Sequence, residues 1–496
     1  MRRREFLHAT AVGGASATLL ASGGVTAEEP YEPLGKVAIE NAKEAVVGNG
    51  GKTAFVAATD GFATVDISNP AKPTVLAERR DLLADRDGGP LSQIWDVKID
   101  GNRLLVAGPA NPISSDAVHG FLLYDVSNPA KPKRVAFHET DYPIHNAMFV
   151  DEIAYLTGND GAGNPLVMVD TSNDEPNEVG RWSITEYDSK WSNVDSWVRT
   201  IHDVWVQDGT AYLAMWDAGT WLVDVSNPKQ PTYVTRFGGR PVGKLASIPD
   251  DEEQDAVLGL PGNDHYVMAN EDGSLVVVNK EAWDTDGPGG NGPGGLALWD
   301  LSNPRNPKRL STISAPKSAD PTYDLQLPSL LPIGVASAHG KCHECTGGAG
   351  SGGQWTTSHN FDIVGDRLYT SWYQGGVKLF DISDPANPEE LVWWRDPKTT
   401  AFWTSQRVSD AFFIASSMGQ HDGKGALYTF PNRAGKQANP PKLTGGGNGG
   451  GNGTGSTIPA PKDGSTTSAK QPGFGLGVAG LSVLGVGILN RVRNRE

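Results

Sequence analysis

The segment Asp224-Val225-Ser226-Asn227-Pro228-Lys229-Gln230-Pro231 recurs along the chain. Asp66-Ile67-Ser68-Asn69-Pro70 leads to Pro73, and Asp125-Val126-Ser127-Asn128-Pro129 leads to Pro132. Asp300-Leu301-Ser302-Asn303-Pro304 leads to Pro307, and Asp381-Ile382-Ser383-Asp384-Pro385 to Pro388. A looser copy runs from Asp170-Thr171-Ser172-Asn173 to Pro176. A unit repeated at this spacing decides the architecture before any other signal does.

The residues around one copy give the grammar of the repeat. His202 to Val206 alternates polar and apolar like a strand, and Asp208-Gly209 makes a tight turn. Ala211 to Met215 reads as a second strand, Thr220 to Val225 as a third, and Thr232 to Thr235 as a fourth. The paired prolines cannot donate to a ladder, so they mark the break between the third and fourth strands. Four short antiparallel strands per repeat make a propeller blade. One second-strand position, mostly aromatic, counts the blades: Phe55, Leu105, Tyr155, Tyr212, Tyr266, Tyr369 and Phe413. The fold class is all-β, a seven-bladed β-propeller over residues 33–432. Blade seven ends at Leu427-Tyr428-Thr429-Phe430-Pro431 without a fourth strand, and Leu34 to Ala38 is an orphan. The orphan is predicted to complete blade seven and close the ring, removing an exposed edge.

The repeat Gly-x-x-x-Val-Asp-Ile-Ser-Asn-Pro, seen from Gly61 to Pro70, resembles the LVIVD-repeat family of β-propellers. More distantly, it is similar to the selenium-binding proteins, seven-bladed propellers linked to thiol oxidation. That resemblance implies a metal-dependent oxidoreductase acting on small sulfur compounds. The residues themselves favour a propeller scaffold for binding or protein interaction, because fold alone does not specify chemistry.

Composition agrees with an all-β body. The 496 residues carry a net charge of −16 with 20% charged side chains, and 61 Gly and 34 Pro supply turns. The 14 Trp, 14 Phe and 12 Tyr supply core. The acidic balance argues against nucleic acid as a partner.

The ends read as targeting segments. Residues 1–27 hold a twin-arginine start, Arg2-Arg3-Arg4-Glu5-Phe6-Leu7, then an apolar stretch and Val25-Thr26-Ala27 as a cleavage site. Residues 433–471 form a flexible stalk rich in Gly, Ser, Thr and Pro. Residues 472–496 begin Pro472-Gly473-Phe474, continue as an apolar run from Gly475 to Leu489, and end with Arg491, Arg493 and Arg495. This tail resembles the PGF-CTERM sorting signal of archaeal surface proteins. The resemblance implies an exported body held at the outer face of an archaeal membrane.

Chemistry is expected on one face. Strand alternation puts the long insertions on a single side of the ring, where an unknown ligand or protein partner would bind. Ten residues before each aligned second-strand residue stand Ala45, Trp95, His145, His202, Ala256, His359 and Trp403. The recurrence aims His145, His202 and His359 at a common channel. Asp60, Asp160, Asp217 and Glu271 follow the aligned residue by five, and they would make that mouth negative. Histidines ringed by carboxylates hold a transition metal such as copper or zinc, or run acid–base chemistry. A structural alternative has each histidine bonding backbone in the adjoining blade. Cys342 and Cys345 lie in His339-Gly340-Lys341-Cys342-His343-Glu344-Cys345. Their spacing suits a disulfide, two further metal ligands or a redox thiol pair. The order lacks the His that a c-type haem site places after the second Cys. Neither a Gly-x-Ser-x-Gly elbow, a phosphate-binding Gly-Lys-Ser/Thr loop nor His-Glu-x-x-His occurs.

Overall fold

The computed structural model describes residues 29–114, 116–250, 252–282, 293–318, 354–420 and 424–443. Among them lie seven antiparallel sheets of four strands each. The innermost strands are Ala45–Gly48, Asp96–Asp100, Ile144–Val150, Asp203–Gln207, Asp264–Ala269, Phe361–Val364 and Phe402–Arg407. Each contacts the innermost strands of both neighbouring blades, and the last contacts the first, so the ring is closed.

Closure comes from the N-terminal strand, as the incomplete ends require. Gly35–Ala38 pairs antiparallel with Ala426–Pro431 and becomes the outer strand of blade seven. The pairing joins residues some 400 positions apart, and Tyr31 reinforces it by donating its hydroxyl to the Pro431 carbonyl at 2.8 Å. An open edge at Ala426–Pro431 would leave a row of unpaired backbone groups.

Seven hydrophobic clusters hold the ring together, each drawing on two adjacent blades. Blades three and four, for example, share Tyr155, Met168, Val204, Leu213 and Trp221. Both faces of every sheet are therefore buried. This explains why second and third strands such as Arg103–Gly108 and Gly120–Asp125 carry near-continuous apolar runs.

The repeated Asp-x-Ser-Asn-Pro turn has two jobs. Within a blade, the Asp carboxylate accepts from the Ser backbone N–H two residues on, at 2.9 Å in Asp66, Asp125, Asp170, Asp224, Asp300 and Asp381. That is an Asx turn, which replaces ladder bonds where the chain reverses. Between blades, the Pro carbonyl accepts from a hydroxyl of the preceding blade: Thr64 to Pro129, Thr429 to Pro70 and Ser311 to Pro385, each at 2.6 Å. In blade three Gly180 fits so closely under the Pro228 carbonyl that a Cβ would lie 2.0 Å from its oxygen.

One aligned position moves. Tyr266 lies in the innermost strand of blade five, Asp264–Ala269, and not in the second, Leu275–Lys280. Val277 holds the aligned place. The hairpin is two residues longer here than the Asp208-Gly209 hairpin of blade four, with Asn270 and Asp272 capping the extra turn. Tyr266 mimics a second-strand aromatic because its partly buried ring also packs between blades, edge-on to Phe361 at 4.8 Å. Ala256 is accordingly not a channel residue; it lies in the short helix Glu253–Leu258.

Candidate metal centre in the propeller channel

Blade five supplies His265 where Ala256 is expected. Asp264 pairs with Lys280 as Ile144 pairs with Gly158, which puts His265 and His145 at equivalent positions. Innermost strands thus present Trp95, His145, His202, His265, His359 and Trp403 from successive blades. Their rings form a closed circuit. Successive centroids lie 5.8, 4.1, 4.0, 4.4 and 4.3 Å apart, and Trp403 returns to Trp95 at 5.8 Å. Blade one contributes only Ala45, whose small side chain lets the two indoles meet. Blade five fills the gap between His202 and His359.

Hydrogen bonds fix which imidazole nitrogen faces the channel. Nδ1 of His145 lies 3.0 Å from the Ala110 carbonyl, that of His202 3.1 Å from the His265 carbonyl, and that of His359 2.6 Å from the Trp403 carbonyl. A carbonyl only accepts, so Nδ1 carries the proton and Nε2 keeps its lone pair. The structural and metal-binding readings of these residues are therefore compatible. One nitrogen ties adjoining blades, and the other is left as a ligand, the arrangement that orients metal-bound histidines. His265 differs. It is fully buried, and neither ring nitrogen has a hydrogen-bond partner among the described residues.

The carboxylate of the site is Glu281, one residue past the second strand of blade five. Its Oε2 lies 3.4 Å from His265 Nε2 and its Oε1 3.9 Å from His359 Nε2. Tyr373 donates its hydroxyl to Oε1 at 2.5 Å. Ligand atoms of His202, His265 and Glu281 all lie within 4.8 Å of one another. Metal–nitrogen bonds of about 2.0 Å would need these side chains to rotate inward.

Two residues with left-handed backbone frame the ring. Trp216 (φ 43°) stacks on His202 at 5.1 Å, and Tyr373 (φ 42°) meets His359 edge-on at 4.8 Å. Each forms an isolated bridge to the residue before the next blade's channel residue, Trp216 to Asp264 and Tyr373 to Phe402. Bulky residues rarely take this conformation, and such outliers collect at functional sites.

Electrostatics suit a cation. Burial pushes His145 down to about 4 and holds His202, His265 and His359 well below the usual imidazole range; neighbouring imidazoles deepen the effect at His202 and His265. Four neutral imidazoles are four lone-pair donors. Burial pushes Glu281 up to about 8, against the Tyr373 hydrogen bond. A bound metal ion would reverse that shift by favouring the carboxylate. Farther along the channel wall, the ammonium of Lys98 contacts the Asp96 carboxylate, and Glu44 and Asp203 add to its stabilising field. Asp96 and Asn146 also tie inner strands together, accepting from Ala147 N–H at 2.8 Å and donating to the His202 carbonyl at 2.9 Å.

The expected ring of acids is not what surrounds the imidazoles. Asp60 pairs with Arg80, Asp160 caps its own loop by accepting from Ala162 and Asn164, and Asp217 lies 3.5 Å from Arg240. Glu271 follows the shifted Tyr266 into the lengthened hairpin. Cys342 and Cys345 lie outside the described residues. Sequence reasoning missed His265, Glu281 and Tyr373. His265-Tyr266-Val267-Met268 does parallel His145-Asn146-Ala147-Met148, so an alignment on histidine would have found the fourth imidazole.

The LVIVD repeat family matches residues 47–78 and 199–238. Blades one and four carry that repeat. The second match spans all four strands of blade four, and the first runs from within the first strand of blade one to within its fourth. No curated protein sequence matches the chain. Among solved structures it is similar to the β-propeller domain of Myceliophteria thermophila Cps50 (Swd1), with a TM-score of 0.50 and 11% identity, covering 81% of this chain and 99% of that one. A computationally designed protein, Ika8, covers 79% of this chain and 98% of its own, with a TM-score of 0.41 and 9% identity. The first likeness concerns the propeller fold alone.

Proposed function

We propose that this propeller is a binding protein whose channel holds one transition metal ion, copper or zinc, through His202, His265 and Glu281, with His145 and His359 flanking. The observation that carries the reading is His265. A fully buried imidazole whose nitrogens make no well-formed hydrogen bond, with only a Glu281 oxygen 3.4 Å from Nε2, is costly unless something occupies the site. Imidazole with a single carboxylate suits zinc or copper better than the hard cations, which prefer all-oxygen sites. Equilibrium dialysis of the full chain against each metal tests the reading, with one tightly held equivalent expected. Retention of none, or equal retention by the H265A variant, contradicts it.

A second reading, metal-dependent oxidation of a small thiol, is favoured by the ligand count. Three protein ligands leave coordination positions for an exchangeable group. Oxidation of a small alkyl thiol by dioxygen, catalysed by copper-loaded protein and lost with the metal, would establish it. Absence of turnover by fully loaded protein would leave the binding role alone.

We place the body outside the cell, at the surface of an archaeal membrane. The support is the twin-arginine start and the Pro472-Gly473-Phe474 tail, both outside the described residues. Recovery of tagged protein in the cytoplasm alone would contradict this.

A further inference from the structure

We infer that the mouth beside the imidazole ring binds a small organic carboxylate, with the ammonium of Lys43 as its counter-charge and the indole of Trp403 as its apolar wall. The inference rests on the metal reading only for what the carboxylate sits beside. Lys43 Nζ lies over the Trp403 ring, 5.1 Å from its centroid, and its hydrogen-bond partner is the thioether of Met418 at 3.6 Å. Among the described residues it makes no ion pair. Four other cations near the channel and its mouth have an acid, Lys98 with Asp96, Lys280 with Asp264, Arg80 with Asp60 and Arg240 with Asp217, while Arg199, Arg236 and Arg395 are satisfied by backbone carbonyls. Unpaired lysines are common on the exposed surface, Lys36, Lys72 and Lys131 among them, whereas Lys43 is partly buried with its ammonium over an indole.

The surroundings define the missing partner. An ammonium against an indole and a thioether has lost hydration without gaining a carboxylate. Burial alone pushes Lys43 down to about 8. A carboxylate would restore charge-assisted hydrogen bonds, while its alkyl or aryl body packs on the partly exposed Trp403 and Met418. Trp403 also lies 4.3 Å from His359, so a molecule held by Lys43 lies next to the imidazole ring.

Reductive methylation of the full chain with ¹³C-formaldehyde tests this, because dimethyllysine keeps its charge and gives one signal per lysine. The Lys43 signal is the one missing from the K43M variant. Titration with 4-fluorophenylacetate should move that signal, and chloride at matched ionic strength should not. Followed by its fluorine signal, 4-fluorophenylacetate should bind K43M at least about tenfold more weakly than wild type. K43R, which retains the charge, should bind more tightly than K43M. A Lys43 signal that responds to both anions alike, or unchanged binding by K43M, overturns the inference. Run on metal-free protein, the titration bears on Lys43 alone, and failure of the metal reading would show only in metal content.

Discussion

Nδ1 of His202 lies 3.1 Å from the backbone carbonyl oxygen of His265, one blade further round, and the two imidazole rings are 4.0 Å apart. His202 therefore joins blades and serves the channel, whereas His265 serves the channel alone. The two residues should separate on mutation. H202A and H265A should both abolish tight metal binding. In metal-free protein H202A should also lose the interblade hydrogen bond, worth about 1 kcal/mol, and so be the less stable of the two. Urea unfolding with metal analysis checks this; equal stability of the two variants would mean that the bond to His265 contributes nothing.

Tyr373 touches the site through Glu281. Removing its hydroxyl in Y373F takes away a hydrogen bond that favours the carboxylate. Outer partners of ligands typically matter by about 10–100-fold in metal affinity. A competition titration with a chromophoric chelator should show a loss in that range, with stoichiometry unchanged. Unaltered affinity would remove Tyr373 from the site.

Metal-free protein should be most stable near about pH 6.5. The imidazoles have folded pKa values below their unfolded value of 6.5, so their contribution is present above it and lost as pH falls. His145, pushed to about 4, costs about 3 kcal/mol as pH falls from 6.5 to 4. Glu281 at about 8 and Glu44 and Asp217 at about 7 are raised, so their contributions are present below about 4.5 and lost as pH rises through those values. Thermal unfolding across pH should show a maximum with a fall on both sides. A melting temperature that rises monotonically from pH 5 to 8 would contradict the burial of these acids.

The Ser-Asn-Pro turn was legible as punctuation but not as a stitch between blades. Its prolines announce a strand break in sequence, whereas the bond from Thr64 to Pro129 joins residues of separate repeats and leaves no local trace. Blade number and closure by Gly35–Ala38 were legible because each repeat obeys one pattern and the two ends complement each other. Three of the four imidazoles followed from the same pattern. His265 did not, because a hairpin longer by two residues broke a count made from a second-strand aromatic. Glu281 and Tyr373 stand outside the repeat and reach the ring only through the closed fold.

Gly180 tests the stitching. A Cβ there would lie 2.0 Å from the Pro228 carbonyl oxygen, so G180V must push blades three and four apart. Overpacking of this kind costs about 1–3 kcal/mol. Chemical unfolding should show that loss with metal binding intact. Wild-type stability in G180V would mean that the blades yield at this contact without cost.

X-ray diffraction from metal-soaked crystals of the folded protein, recorded at the metal's absorption edge, tests the metal centre most directly. The account predicts one anomalous peak per chain inside the ring of six aromatic side chains, bonded to His202, His265 and Glu281. A channel without a peak, or a peak bonded only to residues elsewhere, would contradict it.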